Sequence, residues 1–131
     1  MNRIKRLTLT AVFFISVFTL PAQQSPLDFY TQGRHDLKSG DYYGSLDSFK
    51  KALAVNPAYV DARKGMAEAY FLLQEYAEAL RHAEAALKGA DSRVDLLTLM
   101  GRIYLGMNQM EEAEARFQQA LAIEPNNAEA A

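Results

Sequence analysis

The chain has 131 residues, 14 basic and 16 acidic side chains, a hydrophobic half and no cysteine. That length suits one domain, and the missing cysteine excludes disulfides, thiolate metal sites and cysteine nucleophiles. Residues 23–131 carry a net charge near −5, which disfavours nucleic acid and anionic membrane as partners, since both reward a basic surface.

Residues 1–22 differ from the rest. Arg3, Lys5 and Arg6 form a basic start, and Leu7 to Leu20 is an uncharged, mostly apolar run of 14 residues. Pro21 and Ala22 follow, then the polar Gln23, Gln24 and Ser25. This three-part plan is that of a secretory signal peptide, with cleavage expected after Ala22. A 14-residue helix spans roughly 21 Å at about 1.5 Å per residue, short of a ~30 Å hydrocarbon core. The expected product is therefore exported, periplasmic or secreted, with no stable membrane insertion after cleavage. Retention by an uncleaved amino-terminal anchor is the alternative. None of the acidic residues precedes Gln23, so residues 23–131 carry 11 basic against 16 acidic side chains, a net charge near −5.

Beyond the leader, the pattern predicts six helices: 26–38, 42–54, 58–73, 76–88, 92–106 and 110–122. Gly40 can end the first helix in the left-handed conformation. Asn108 tolerates that conformation and Gln74 does so less well. Asn56 before Pro57 reads as a cap followed by a first-turn proline. Gly89 and Asp91 replace that device later, and Pro125 restores it.

An internal repeat organises these helices. Pro57 and Pro125 lie 68 residues apart, twice 34. At a period of 34, Gly33, Ala67 and Gly101 align, as do Ser45, Ala79 and Ala113. Ala52, Ala86 and Ala120 align too, each followed by a leucine: Leu53, Leu87 and Leu121. Phe49 and Phe117 flank Ala83, while Tyr42, Tyr76 and Met110 correspond. Tyr70 and Tyr104 match Asp36 of the first copy. In this period and in the placing of small and aromatic residues, the chain resembles the tetratricopeptide repeat family. The copies are 26–59, 60–93 and 94–127, and 128–131 would begin a further helix. The resemblance implies an all-α fold, an α-solenoid of three helix-turn-helix repeats. Gln32 and Asp36 stand where the second copy has Met66 and Tyr70, as suits a terminal repeat with no neighbour on one side.

Chemistry finds little material. His35 and His82, the only histidines, fall at different repeat positions and read as lone surface residues. No zinc spacing and no glycine-rich phosphate loop is present. Glu111, Glu112 and Glu114 read as a solvated helix start. Met66, Met100, Met107 and Met110 read as packing residues. No catalytic residue, cofactor or metal site is expected.

The resemblance further implies that first helices line a concave groove that takes a peptide or protein. Carried over by position, the groove residues are Leu27, Tyr30, Arg34, Leu37 and Lys38, then Asp61, Lys64, Glu68, Phe71 and Leu72. The third copy adds Asp95, Thr98, Arg102, Leu105 and Gly106. Arg34 and Arg102 suit peptide carboxylates, and Tyr30 and Phe71 suit apolar contact. Lys64 and Glu68 can instead pair with each other, and Leu37 and Leu105 can instead be core. Some members clamp chaperone tails with lysine, asparagine and arginine, but the asparagines are missing here. After the third copy, an open face around Phe117 and Leu121 offers self-association or partner docking. The leading reading is a non-catalytic scaffold or adaptor outside the cytoplasm. A regulatory or substrate-presenting subunit of an envelope enzyme and a piece of a longer repeat array are the alternatives.

Overall fold

Six α-helices and no strand form the computed structural model among the described residues, which are 22–126, 129 and 131. The expected leader, save Ala22, lies outside them, as do Asn127, the last residue of the third copy, and Ala128 and Ala130 of the expected further helix. The helices are α1 (Pro26–Ser39), α2 (Tyr42–Val55), α3 (Val60–Leu72), α4 (Tyr76–Leu87), α5 (Val94–Gly106) and α6 (Met110–Ile123). None is long and apolar enough to cross a membrane.

Local chemistry sets the ends. The Ser25 hydroxyl accepts the Asp28 amide, and the Asp28 carboxylate accepts the Ser25 amide at 2.7 Å, a reciprocal cap with Pro26 in the first turn. These bonds from Ser25 hold the Asp28 carboxyl below its ordinary range. The turn between paired helices is the same in all three copies. Gly40, Gln74 and Asn108 have φ of +87°, +62° and +60°. The amides of Asp41, Glu75 and Gln109, one residue later, each reach back to the carbonyls of Asp36, Tyr70 and Tyr104 at 2.9 Å. This closes the first helix of each pair and sends the chain back antiparallel.

Asn56 and Pro57 act differently from the sequence expectation. Asn56 ends α2 rather than starting α3. Its side-chain oxygen accepts the Ala58 amide at 3.1 Å, and its carbonyl accepts the Tyr59 amide at 3.1 Å. Pro57 therefore occupies a turn, where its fixed φ is favoured, and α3 begins only at Val60.

Packing follows a large-against-small rule. Phe49 is fully buried between α1 and α3, and a Cβ on Gly33 or Gly65 would meet its ring at 2.6 or 2.5 Å. In the second copy Ala67 and Ala83 stand at the Gly33 and Phe49 positions, and Leu99 of α5 joins the same core. In the third, Phe117 lies directly on Gly101. Met66 and Met100 are buried, in keeping with packing roles, whereas Met110 is 58% exposed. Consecutive helices pack together; in addition α1 touches α3 and α3 touches α5, while no second helix touches another. The first helices thus form the inner side of the stack.

His82 is not a surface residue. It is 6% exposed and stacks on Tyr70, with ring centroids 5.4 Å apart and planes 13° apart. The expectation failed because residue 82 falls on the same inward repeat position as the buried Ser48. An Arg81 nitrogen lies 3.0 Å from Nε2. Arginine only donates, so Nε2 accepts and the proton sits on Nδ1, which has no partner among the described residues. Burial, then the Arg81 charge, pushes the imidazole down to about 4. His35, by contrast, is exposed.

Candidate functional site

The inner side carries charges placed by side-by-side first helices. Residues four apart share a face, so Arg34 of α1 projects beside α3, as Lys64 does beside α5. Arg34 donates to Glu68 across the first pair of repeats. Lys64 Nζ donates to Asp95 at 2.8 Å across the second. Arg102 meets Glu129 at 3.2 Å beyond the third. The within-helix pair Lys64–Glu68 does not form, because each side chain finds its partner on a neighbouring helix. All three pairs are partly exposed, where such contacts are worth about 1 kcal/mol or less each. They leave the cations open to exchange one carboxylate for another.

Apolar groups sit among these charges. The Arg102 guanidinium lies 4.9 Å from the Phe71 ring centroid, a cation–π arrangement. Phe71 is tilted against Tyr76 at 6.1 Å, and Tyr76 in turn presses on Gly106. At the other end, Tyr30 packs at 5.9 Å from Phe49 and 5.4 Å from Tyr59. Burial pushes the Tyr59 phenol up, with the Asp61 charge adding to it.

The sequence-derived groove residues divide. Arg34, Lys64, Glu68, Phe71 and Arg102 come together on the inner side, and Tyr30 is half-buried at its start. Leu37 packs against the first core cluster. Thr98 is only 3% exposed, and its hydroxyl has no partner among the described residues. A cavity of about 180 Å³ adjoins it, walled by Lys64, Glu68, Asp95, Arg102 and Glu129. Leu105 is 45% exposed but turns to the end of the stack. There it lines a cavity of about 350 Å³ with Met110, Ala113, Phe117, Leu121 and Ala131. Glu129 is an inner-side charge absent from the carried-over positions. Its signal was its spacing, 34 residues after Asp95. Among the described residues no group of three histidine, aspartate or glutamate side chains is placed to hold a metal ion.

Comparison with known proteins agrees with this architecture. Two models described as tetratricopeptide repeat match residues 30–93 and 73–131, together most of the chain. The chain belongs to the tetratricopeptide repeat family. Human (Homo sapiens) RNA polymerase II-associated protein 3 is 27% identical over 107 residues, which are 82% of this chain and 16% of that protein. The chain thus spans about one sixth of that relative's length. The first repeat domain of Spaghetti (RPAP3), bound to the HSP90 peptide SRMEEVD, is similar with a TM-score of 0.77 and 27% identity. That match covers 82% of this chain and 85% of the other. The first repeat domain of human RPAP3 gives a TM-score of 0.76 at 27% identity, covering 80% and 83%.

Proposed function

We propose that this chain is a non-catalytic scaffold that holds an extended peptide or protein segment along α1, α3 and α5. The observation that carries the reading is the row of exchangeable ion pairs, Arg34–Glu68, Lys64–Asp95 and Arg102–Glu129, interleaved with Phe71. Each cation is already matched by a carboxylate, so a purely acidic ligand would leave Glu68, Asp95 and Glu129 without partners. A segment carrying both signs can replace each pair in kind. The Spaghetti domain holds an acidic peptide, SRMEEVD; here α1, α3 and α5 carry no asparagine to complete a carboxylate clamp. The proposed ligand is therefore of mixed charge with an apolar side chain for Phe71. The proposed compartment is extracytoplasmic, on the strength of the basic start, the apolar run and Ala22.

Peptide arrays of mixed, acidic and basic composition, probed with residues 23–131, test the ligand class. Mixed-charge peptides should bind best, and Arg34→Ala with Arg102→Ala should weaken them about tenfold. Equal binding by that double variant contradicts the groove assignment. Fractionation with amino-terminal sequencing tests the compartment. A mature product beginning at Gln23 is expected, and an intact Met1 terminus on a cytoplasmic product contradicts it.

A further inference from the structure

The outer side of the stack gathers cations that hold no carboxylate. Second helices do not touch one another, which leaves a furrow between α4 and α6. A cavity of about 360 Å³ lies there. It is lined by Glu84 and Leu87 of α4, Lys88 just beyond it, Arg93 just before α5, Met100 of α5 and Arg116 of α6. The buried Met100 and partly buried Leu87 are its apolar part. Among the described residues Arg34, Lys51, Lys64, Arg81 and Arg102 each hold a carboxylate. Lys88, Arg93 and Arg116 hold none there, although acids outnumber bases 16 to 11 in residues 23–131. Arg116 donates instead to the Gln119 side-chain oxygen at 3.1 Å. Repeat packing does not require these cations. One period earlier Ala54, Tyr59 and His82 stand at the places of Lys88, Arg93 and Arg116. Tyr59 packs on Tyr30 and His82 stacks on Tyr70, so both are drawn into the fold. Lys88 and Arg93 are exposed, and Arg116 is half-buried.

We propose that this furrow docks an acidic segment of another polypeptide, with carboxylate side chains on both sides of an apolar one. The carboxylates meet Lys88, Arg93 and Arg116, and the apolar side chain meets Leu87 and Met100. Charge complementarity sets the occupant's sign, because three cations line the cavity against one carboxylate, Glu84. The two arginines can each hold a carboxylate through two parallel bonds. A lone phosphate would leave the apolar part uncovered. Nucleic acid rewards a longer basic track than three side chains on a chain of net negative charge.

The test follows amide signals of the full chain as the capped peptide GDELLEDG is added, beside its amide counterpart GNQLLQNG and its polar counterpart GDESSEDG. GDELLEDG should shift Leu87, Lys88, Arg93 and Arg116 and bind about tenfold more tightly than either counterpart. Lys88→Glu with Arg93→Glu should weaken it about tenfold or more and take the basic peptide GKKLLKKG instead. Both residues are exposed, so this variant keeps the fold. Lys50→Glu with Lys51→Glu makes the same charge change on α2 and should weaken binding by about twofold at most. The proposal is overturned if GDELLEDG does not bind, if the counterparts bind as well, or if its shifts fall on α1, α3 and α5. It is also overturned if the Lys88, Arg93 variant binds unchanged, or if the α2 variant loses as much. A single-stranded oligonucleotide that displaces the peptide and binds more tightly overturns it in favour of nucleic acid. Capture by the groove is read at Arg34, Lys64 and Phe71, so either reading can fail without the other.

Discussion

Alanine at Phe49 and at Phe117 should cost different amounts, although the two rings hold equivalent places 68 residues apart. Phe49 is 0% exposed and is clasped by glycines on both sides. Phe117 is half-buried and clasped on one. A fully buried phenylalanine truncated to alanine typically loses about 3–5 kcal/mol, from lost transfer energy plus the cavity left behind. Phe49→Ala should fall in that range, near 4 kcal/mol. Because Phe117 keeps part of its surface in water, Phe117→Ala should cost less, about 2 kcal/mol. A domain of this size has about 5–15 kcal/mol to lose, so the first change removes a large share and the second leaves a folded chain. Urea unfolding followed by far-ultraviolet circular dichroism reads both. At a slope of about 2 kcal/mol per molar, the midpoints should drop by about 2 M and about 1 M. Equal losses would refute the reasoning, since they would mean that the outer side of Phe117 is covered in the isolated chain.

Three further outcomes follow from local chemistry. His82 is neutral in the folded chain down to about 4, whereas the unfolded chain protonates it near its ordinary 6.5. Its contribution is therefore full above pH 6.5 and is lost as pH falls toward 4, by up to about 3 kcal/mol. His82→Phe should flatten that part of a stability–pH curve measured by urea unfolding. Gly40→Ala should cost about 1 kcal/mol because φ is +87°, while Gln74→Gly at φ +62° should gain about as much in thermal unfolding. Asp95→Ala should cost under about 1 kcal/mol, because the Lys64 pair is partly exposed, and the loss should shrink in high salt.

The period of 34 made the helix pairs legible because the junctions depend on residue size, which a sequence displays directly. Gly33 with Phe49 and Gly101 with Phe117 are the packing rule written in the chain. The left-handed turn at Gly40, Gln74 and Asn108 was legible for the same reason, as one geometry recurring at one repeat position. His82 was misread because a polar residue type outweighed its inward position, the one Ser48 also holds. Asn56–Pro57 was misread because the dipeptide suits both a helix start and a turn, and hydrogen bonds to Ala58 and Tyr59 decide between them. The inner charges apart from Glu129 were named, but the pairs they form were not. Arg34 meets Glu68 and Lys64 meets Asp95 only because successive first helices lie side by side, a fact of three dimensions. Thr98 shows the same limit, being placed on the groove face yet buried beneath it.

Mapping a bound mixed-charge peptide on residues 23–131 by amide chemical shifts tests the central claim most directly. The groove account predicts shifts concentrated on α1, α3 and α5, around Arg34, Lys64, Phe71 and Arg102, and their loss in the Arg34→Ala, Arg102→Ala double variant. Shifts confined to α2, α4 and α6, or an unchanged pattern in that variant, would contradict it.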